Sequence, residues 1–168
     1  HHQRRARPVK LLIVYHSMTG GTTQMARAAA AAARAETETT LLHVDDAGPD
    51  ELLEADGYIF ATPENLAAIS GKFKHFIDRC YYPVLGRIEG RPYCSLICAG
   101  SDGTSAASQL ARICTGWRLR AIAAPLIVCT HAQTPEAILA LKHIPPAELD
   151  RCAEAGAAMG AGLKMGIF

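Results

Sequence analysis

The chain has almost no excess charge. Its 168 residues carry 17 Lys and Arg against 16 Asp and Glu, a formal net charge of +1. No overall field therefore draws in nucleic acid or a membrane surface. Arg4-Arg5-Ala6-Arg7 is too short a basic patch to argue for a nucleic-acid arm, and His1-His2 has the look of a purification-tag remnant. Residues 1–7 are accordingly set aside as tag remnant or disordered arm, and residues 8–168 are expected to form a single domain. Neither a secretory signal nor an apolar run long enough to span a bilayer is visible, so membrane insertion is not expected.

Several catalytic signatures are missing too. The phosphate loop of nucleotide hydrolases, Gly-x-x-x-x-Gly-Lys-Ser/Thr, does not occur, and neither does Gly-x-Gly-x-x-Gly. None of the six cysteines shows Cys-x-x-Cys spacing, and Cys98 lacks the arginine of a Cys-x5-Arg phosphatase loop. Cys94, Cys98 and Cys129 fall in apolar runs, where a thiol behaves as a small core side chain. With no secretory signal or long apolar span visible, the cytoplasm, where thiols stay reduced, is the expected location. The histidines have no metal-ligand spacing, no Ser/His/Asp arrangement stands out, and no catalytic side chain or metal ligand is assigned.

What is present is alternation. Apolar runs at Val9–Tyr15, Thr39–Val44, Gly57–Ala61, Tyr93–Ala99 and Ala123–Thr130 read as strands. Between and after them, Thr22–Arg34, Pro49–Ala55, Gly71–Cys80, Thr104–Trp117 and Pro146–Met159 read as helices. This order predicts an α/β fold, a parallel sheet with helices on both faces. Ligands of such sheets bind beyond the carboxyl ends of the strands. The loops after strands one, three and four should therefore converge.

The first of these loops is the most informative. Ser17-Met18-Thr19-Gly20-Gly21-Thr22 lies between an apolar strand and an alanine-rich helix. Hydroxyls at Ser17, Thr19 and Thr22, a glycine that admits close backbone approach and a helix N-terminus form a nest for a phosphate dianion. The turn contains no Lys or Arg, so the phosphate is expected to be held without a cation. The competing reading is a plain helix cap, with Ser17 or Thr19 accepting from the first turn. His16 is a candidate phosphate donor or a surface residue.

The spacing Ser17-x-Thr19-Gly20-x-Thr22 resembles the turn with which flavodoxins hold the phosphate of FMN. The second loop, Thr62-Pro63-Glu64-Asn65-Leu66, with Ser70-Gly71-Lys72-Phe73-Lys74 following, looks like the corresponding segment of NAD(P)H-dependent FMN reductases and flavodoxin-like quinone reductases. The resemblance spans roughly Pro8 to Met159. It implies a flavodoxin-like three-layer sandwich with a five-stranded parallel sheet in the order 2-1-3-4-5. By the same resemblance, Thr62, Pro63, Glu64, Asn65 and Leu66 would lie against the isoalloxazine ring, while Gly100, Ser101, Asp102 and Gly103 would contact its pyrimidine side and the ribityl chain. Read without the resemblance, the second loop is a strand-to-helix connection capped by Ser70, and Ser101 or Asp102 is a helix N-cap. Glu64 and Asp102 read as solvated carboxylates.

Gly21 stands where flavodoxins often have asparagine, the chain is near neutral where flavodoxins are acidic, and the second loop has no aromatic residue. These departures favour the reductase branch. The resemblance thus implies an FMN-dependent oxidoreductase that takes hydride from NAD(P)H and serves a small acceptor such as a quinone or flavin. A flavodoxin-type electron carrier for a protein partner is the alternative. A homo-oligomer stays open; Tyr81-Tyr82 read first as packed tyrosines before the helix-ending Pro83, with a lid over the ring edge or a subunit contact as the alternatives.

Overall fold

A computed structural model of the chain describes residues 7–168. The arm expected over residues 1–7 lies outside them except for Arg7, which pairs with Asp56 at 2.7 Å. Strands β1 (Lys10–Tyr15), β2 (Glu38–His43), β3 (Gly57–Asn65) and β5 (Pro92–Ala99) run parallel in the order β2-β1-β3-β5. The fifth lane is shared by β6 (Arg120–Ala121) and β7 (Leu126–Cys129), both parallel to β5. Helices α1 (Gly21–Arg34), α2 (Pro49–Glu54), α3 (Gly71–Val84), α4 (Thr104–Gly116), α5 (Pro135–Leu139) and α6 (Pro146–Met165) complete the chain. The expected lane order 2-1-3-4-5 is the observed one.

Strand residues alternate between two cores, as a pleated sheet covered on both faces requires. Leu12, Val14, Tyr58, Phe60 and Ile97 pack with α2, α3 and α4. Leu11, Ile13, Ile59, Ala61 and Leu96 pack with α1 and α6. The alanine run of α1 does more than favour helix. Ala26, Ala29, Ala30 and Ala33 are fully buried, and a Cβ on Gly156 of α6 would sit 2.0 Å from the Ala29 carbonyl oxygen. The small side chains let the two helices approach until their backbones touch.

The sheet has seven strands where five were expected, for two reasons. First, β3 runs on through Thr62 and Pro63 to Asn65 and folds back as β4 (Ala68–Ile69), pairing antiparallel as Glu64↔Ile69 and Asn65↔Ala68. The second loop is therefore a hairpin. Its two turn residues, Leu66 and Ala67, have φ of 50° and 65°. Second, the run expected as one strand over Ala123–Thr130 is broken. Tyr93 pairs with Ala121 and Leu96 with Leu126, so Cys94 and Ser95 face the longer stretch Ile122–Pro125, which bulges from the ladder. Pro125 has no N–H to donate there.

Trp117 and Tyr81 settle into the core. Trp117 is buried, stacks on Tyr81 with ring centroids 5.5 Å apart, and donates its indole N–H to the Tyr81 carbonyl at 3.0 Å. The adjacent Tyr82 is exposed. Both tyrosines lie in the last turns of α3, the end remote from Ser70 and the loops at the sheet's carboxyl edge.

Candidate functional site

The loops after β1, β3 and β5 meet at the carboxyl edge of the sheet around an open cleft that residues of all three line.

The floor is the turn before α1. Gly20, with φ of 91°, occupies the cap position, and no side chain caps the helix. Ser17 Oγ instead accepts from the Gly20 N–H at 3.0 Å. The expected alternative, a hydroxyl cap on the first turn, is thus not formed. Among the described residues, the N–H groups of Ser17, Met18, Thr19, Gly21, Thr22 and Thr23 have no protein acceptor. A row of unpaired amides at the positive end of a 14-residue helix is a donor set for an oxyanion. Ser17, Met18, Thr19, Gly21 and Thr22 all line the cleft. Thr22 is nearly buried, and its hydroxyl lies beside the Cys98 thiol, where it partly offsets the rise in pKa that burial imposes on that thiol. A Cβ on Gly21 would meet Cys98 Sγ at 2.8 Å, so an asparagine there would require the Cys98 side chain to move.

One expectation fails here. The turn is not free of cations. Lys142, distant in sequence, places its ammonium 3.2 Å from Thr19 Oγ1, and its backbone N–H donates to the Thr19 carbonyl at 2.8 Å. The ammonium also donates to the carbonyls of Ile138 and Ala140 at 2.8 and 2.6 Å.

The second wall is the β3–β4 hairpin. Pro63, Glu64 and Asn65 line the cleft, and Asn65 Nδ2 reaches Met18 Sδ at 2.9 Å. Thr62 and Leu66 do not line it. Thr62 is fully buried and accepts from the Ser70 N–H at 3.2 Å, while Leu66 is fully exposed at the hairpin tip. Nor is Glu64 a solvated carboxylate. Its two oxygens accept from the N–H groups of Gly103 and Ala106, both at 2.9 Å, so it caps α4 from a neighbouring strand. Ser70 caps α3 as expected, accepting from the Phe73 N–H at 3.3 Å.

The third wall is Cys98, Ala99 and Gly100. Ser101 and Asp102 are exposed and lie outside the lining, and Asp102 Oδ1 accepts from the Thr104 hydroxyl at 2.8 Å. Gly103, also outside the lining, has φ of 88° and packs so closely that a Cβ would meet Ile127 Cγ2 at 2.6 Å.

The fourth wall comes from the segment after β7, where Thr130, Ala132, Ile138 and Lys142 line the cleft. No motif in the sequence points to them, although Thr134-Pro135 is a readable cap and first residue for α5. His16 is neither a surface residue nor part of the cleft lining. It is buried with Nδ1 2.7 Å from Ser70 Oγ. Burial, then His43 and Lys72, lower its pKa, against a smaller opposite pull from Asp45.

The fold and this cleft define a flavodoxin-like α/β protein. The family model described as NADPH-dependent FMN reductase matches residues 49–134, just over half of the chain, and the one described as flavodoxin matches residues 13–79. The chain belongs to the NADPH-dependent FMN reductase family, within the flavodoxin-like oxidoreductases. A flavodoxin of Aquifex aeolicus is 36% identical over 96 residues, covering 56% of this chain and 52% of the relative. An NAD(P)H dehydrogenase (quinone) of Acidithiobacillus ferrooxidans is 33% identical over 92 residues, covering 42% and 46%. The chain thus spans about half the length of these curated relatives. Among solved structures, a WrbA-like flavodoxin from Agrobacterium tumefaciens superposes with a TM-score of 0.75 at 19% identity, covering 94% of this chain and 98% of that one. Among the described residues, no helix is long and apolar enough to cross a membrane.

Proposed function

We propose that residues 8–168 form one domain that holds FMN non-covalently, accepts hydride from NADH or NADPH, and passes the electrons to a small acceptor such as a quinone or a second flavin. The observation that carries this reading is the set of unpaired amides in the turn before α1, opening onto the cleft at the carboxyl edge of the sheet. Donors in that number, with no carboxylate pointed at them, suit the phosphate of the cofactor. Ser17–Thr23 would hold the phosphate. Pro63–Asn65, Ala99 and Gly100 would flank the ring system.

When bound, the flavin supplies the redox chemistry. The chain's own part is to bind, orient and exclude water. Hairpin and cleft walls present mainly backbone and small side chains, and Glu64, the one carboxylate among them, spends its charge on α4. No side chain is assigned to proton transfer.

The flavodoxin relative supports a second reading, an electron carrier serving a protein partner. Two measurements separate the readings. The visible spectrum of the purified protein, with and without added FMN, should show a bound flavin; a colourless protein that leaves added FMN unperturbed removes both. Oxidation of NADH and NADPH by the loaded protein should then turn over with a quinone present. Negligible direct turnover would leave only the carrier.

A further inference from the structure

We infer that Lys142 is the counter-charge of the phosphate turn and makes the site select a flavin phosphomonoester over the unphosphorylated flavin. The inference rests on the chain binding FMN, and it replaces the expectation of a cation-free turn.

The ammonium is held in place. Its three N–H donors are met by Ile138 O at 2.8 Å, Ala140 O at 2.6 Å and Thr19 Oγ1 at 3.2 Å. The backbone that carries it is fastened to the turn independently. Lys142 N donates to Thr19 O at 2.8 Å, Gln24 Nε2 donates to both Gly20 O and Lys142 O at 3.0 and 2.7 Å, and Ile144 N donates to Gln24 Oε1 at 2.9 Å. Gln24 lies in the first turn of α1, so the helix that presents the amides also fixes the segment that presents the charge. Neither can shift without the other.

Thr19 links the charge to the ligand. Its hydroxyl accepts from Lys142, and a hydroxyl has a single proton to give. With a lone pair engaged by the ammonium, that proton is free to turn into the cleft, toward an oxyanion. Lys142 therefore acts twice: as a positive charge facing the turn, and as the group that orients Thr19 as a donor. Both effects require a phosphate and do nothing for a flavin without one. Among the residues lining the cleft, Lys142 is the sole cation and Glu64, occupied elsewhere, the sole anion.

The test compares wild type, Lys142→Gln and Lys142→Arg, each titrated with FMN and with riboflavin at low and high salt, and read by quenching of flavin fluorescence. Circular dichroism and thermal melting establish that each variant is folded. Lys142→Gln should weaken FMN by about tenfold or more, the lower end of a charge-assisted hydrogen bond, and leave riboflavin within about twofold. Lys142→Arg should recover most of the FMN affinity. If Lys142→Gln does not fold, wild type decides: its FMN affinity should fall with salt while its riboflavin affinity holds. Equal loss of both flavins, or unchanged FMN binding in Lys142→Gln, overturns the inference and leaves flavin binding standing. Wild type that binds neither flavin overturns both.

Discussion

Glu64 shows how far a residue's role depends on what stands opposite it. In sequence it is a carboxylate in a loop. In the structure it accepts from Gly103 N and Ala106 N at the amino end of α4, where the helix dipole adds to both bonds. Glu64→Gln keeps one acceptor and removes the charge. It should cost about 1–2 kcal/mol and lower Tm by roughly 2–8 °C. Calorimetry of the free protein measures this, and an unchanged Tm would show that the cap carries no weight. His16 makes a second, pH-dependent case. Its native pKa lies below the ordinary 6.5, so the unfolded chain binds the proton more readily. The resulting stability is present above pH 6.5 and drains away as pH falls through that value toward the native one. Protonation would also turn Nδ1 into a donor against Ser70 Oγ, which already accepts from Phe73 N. Urea midpoints should therefore drop between neutral and mildly acidic pH, and His16→Asn should flatten that slope. A slope identical in both proteins would place the titration elsewhere.

The β3–β4 hairpin and the fifth lane mark where local pattern stopped predicting. Thr62–Leu66 looked like a loop because Pro63 and the small polar residues around it punctuate strands. The strand continues because Thr62 and Pro63 pair with Ile97 and Cys98 of β5, partners no local window contains. The turn at its end then has two non-glycine residues at positive φ, Leu66 and Ala67, where such hairpins ordinarily carry Asn-Gly. Each costs on the order of 1 kcal/mol. Leu66→Asn with Ala67→Gly should raise stability by about 1–2 kcal/mol and Tm by roughly 2–8 °C, with Leu66 losing no contact because it is fully exposed. A melting curve that does not move would show the turn to be unstrained. The fifth lane failed in the opposite sense. Its apolar run satisfied the strand pattern throughout, yet register with β5 leaves Ile122–Pro125 outside the ladder.

Across the whole chain, folding and ligand binding are linked, since the cleft is assembled from four separate loops and exists only in the folded state. FMN at about a hundredfold its Kd should stabilise the protein by about 2.7 kcal/mol, a Tm rise of roughly 5–11 °C. Scanning fluorimetry over a concentration series of FMN and riboflavin tests this. The rise should grow with the logarithm of FMN and be smaller for riboflavin at each concentration. Identical curves would mean that the turn before α1 does not recognise the phosphate. The chain's near-zero net charge gives no long-range field to compensate, so the discrimination must come from groups at the turn itself.

Periodicity, turn chemistry and the Ser17-x-Thr19-Gly20-x-Thr22 spacing were enough to read the layer architecture, the lane order through its resemblance, and the first loop. Those features repeat within a few residues and depend on backbone preferences that each residue carries with it. Lys142 beside Thr19, Glu64 on α4, His16 on Ser70 and the backbone contact of Gly156 with Ala29 all join positions far apart in the chain. They are long-range juxtapositions, set by register and by how closely α1 and α6 pack, and no spacing along the chain encodes them.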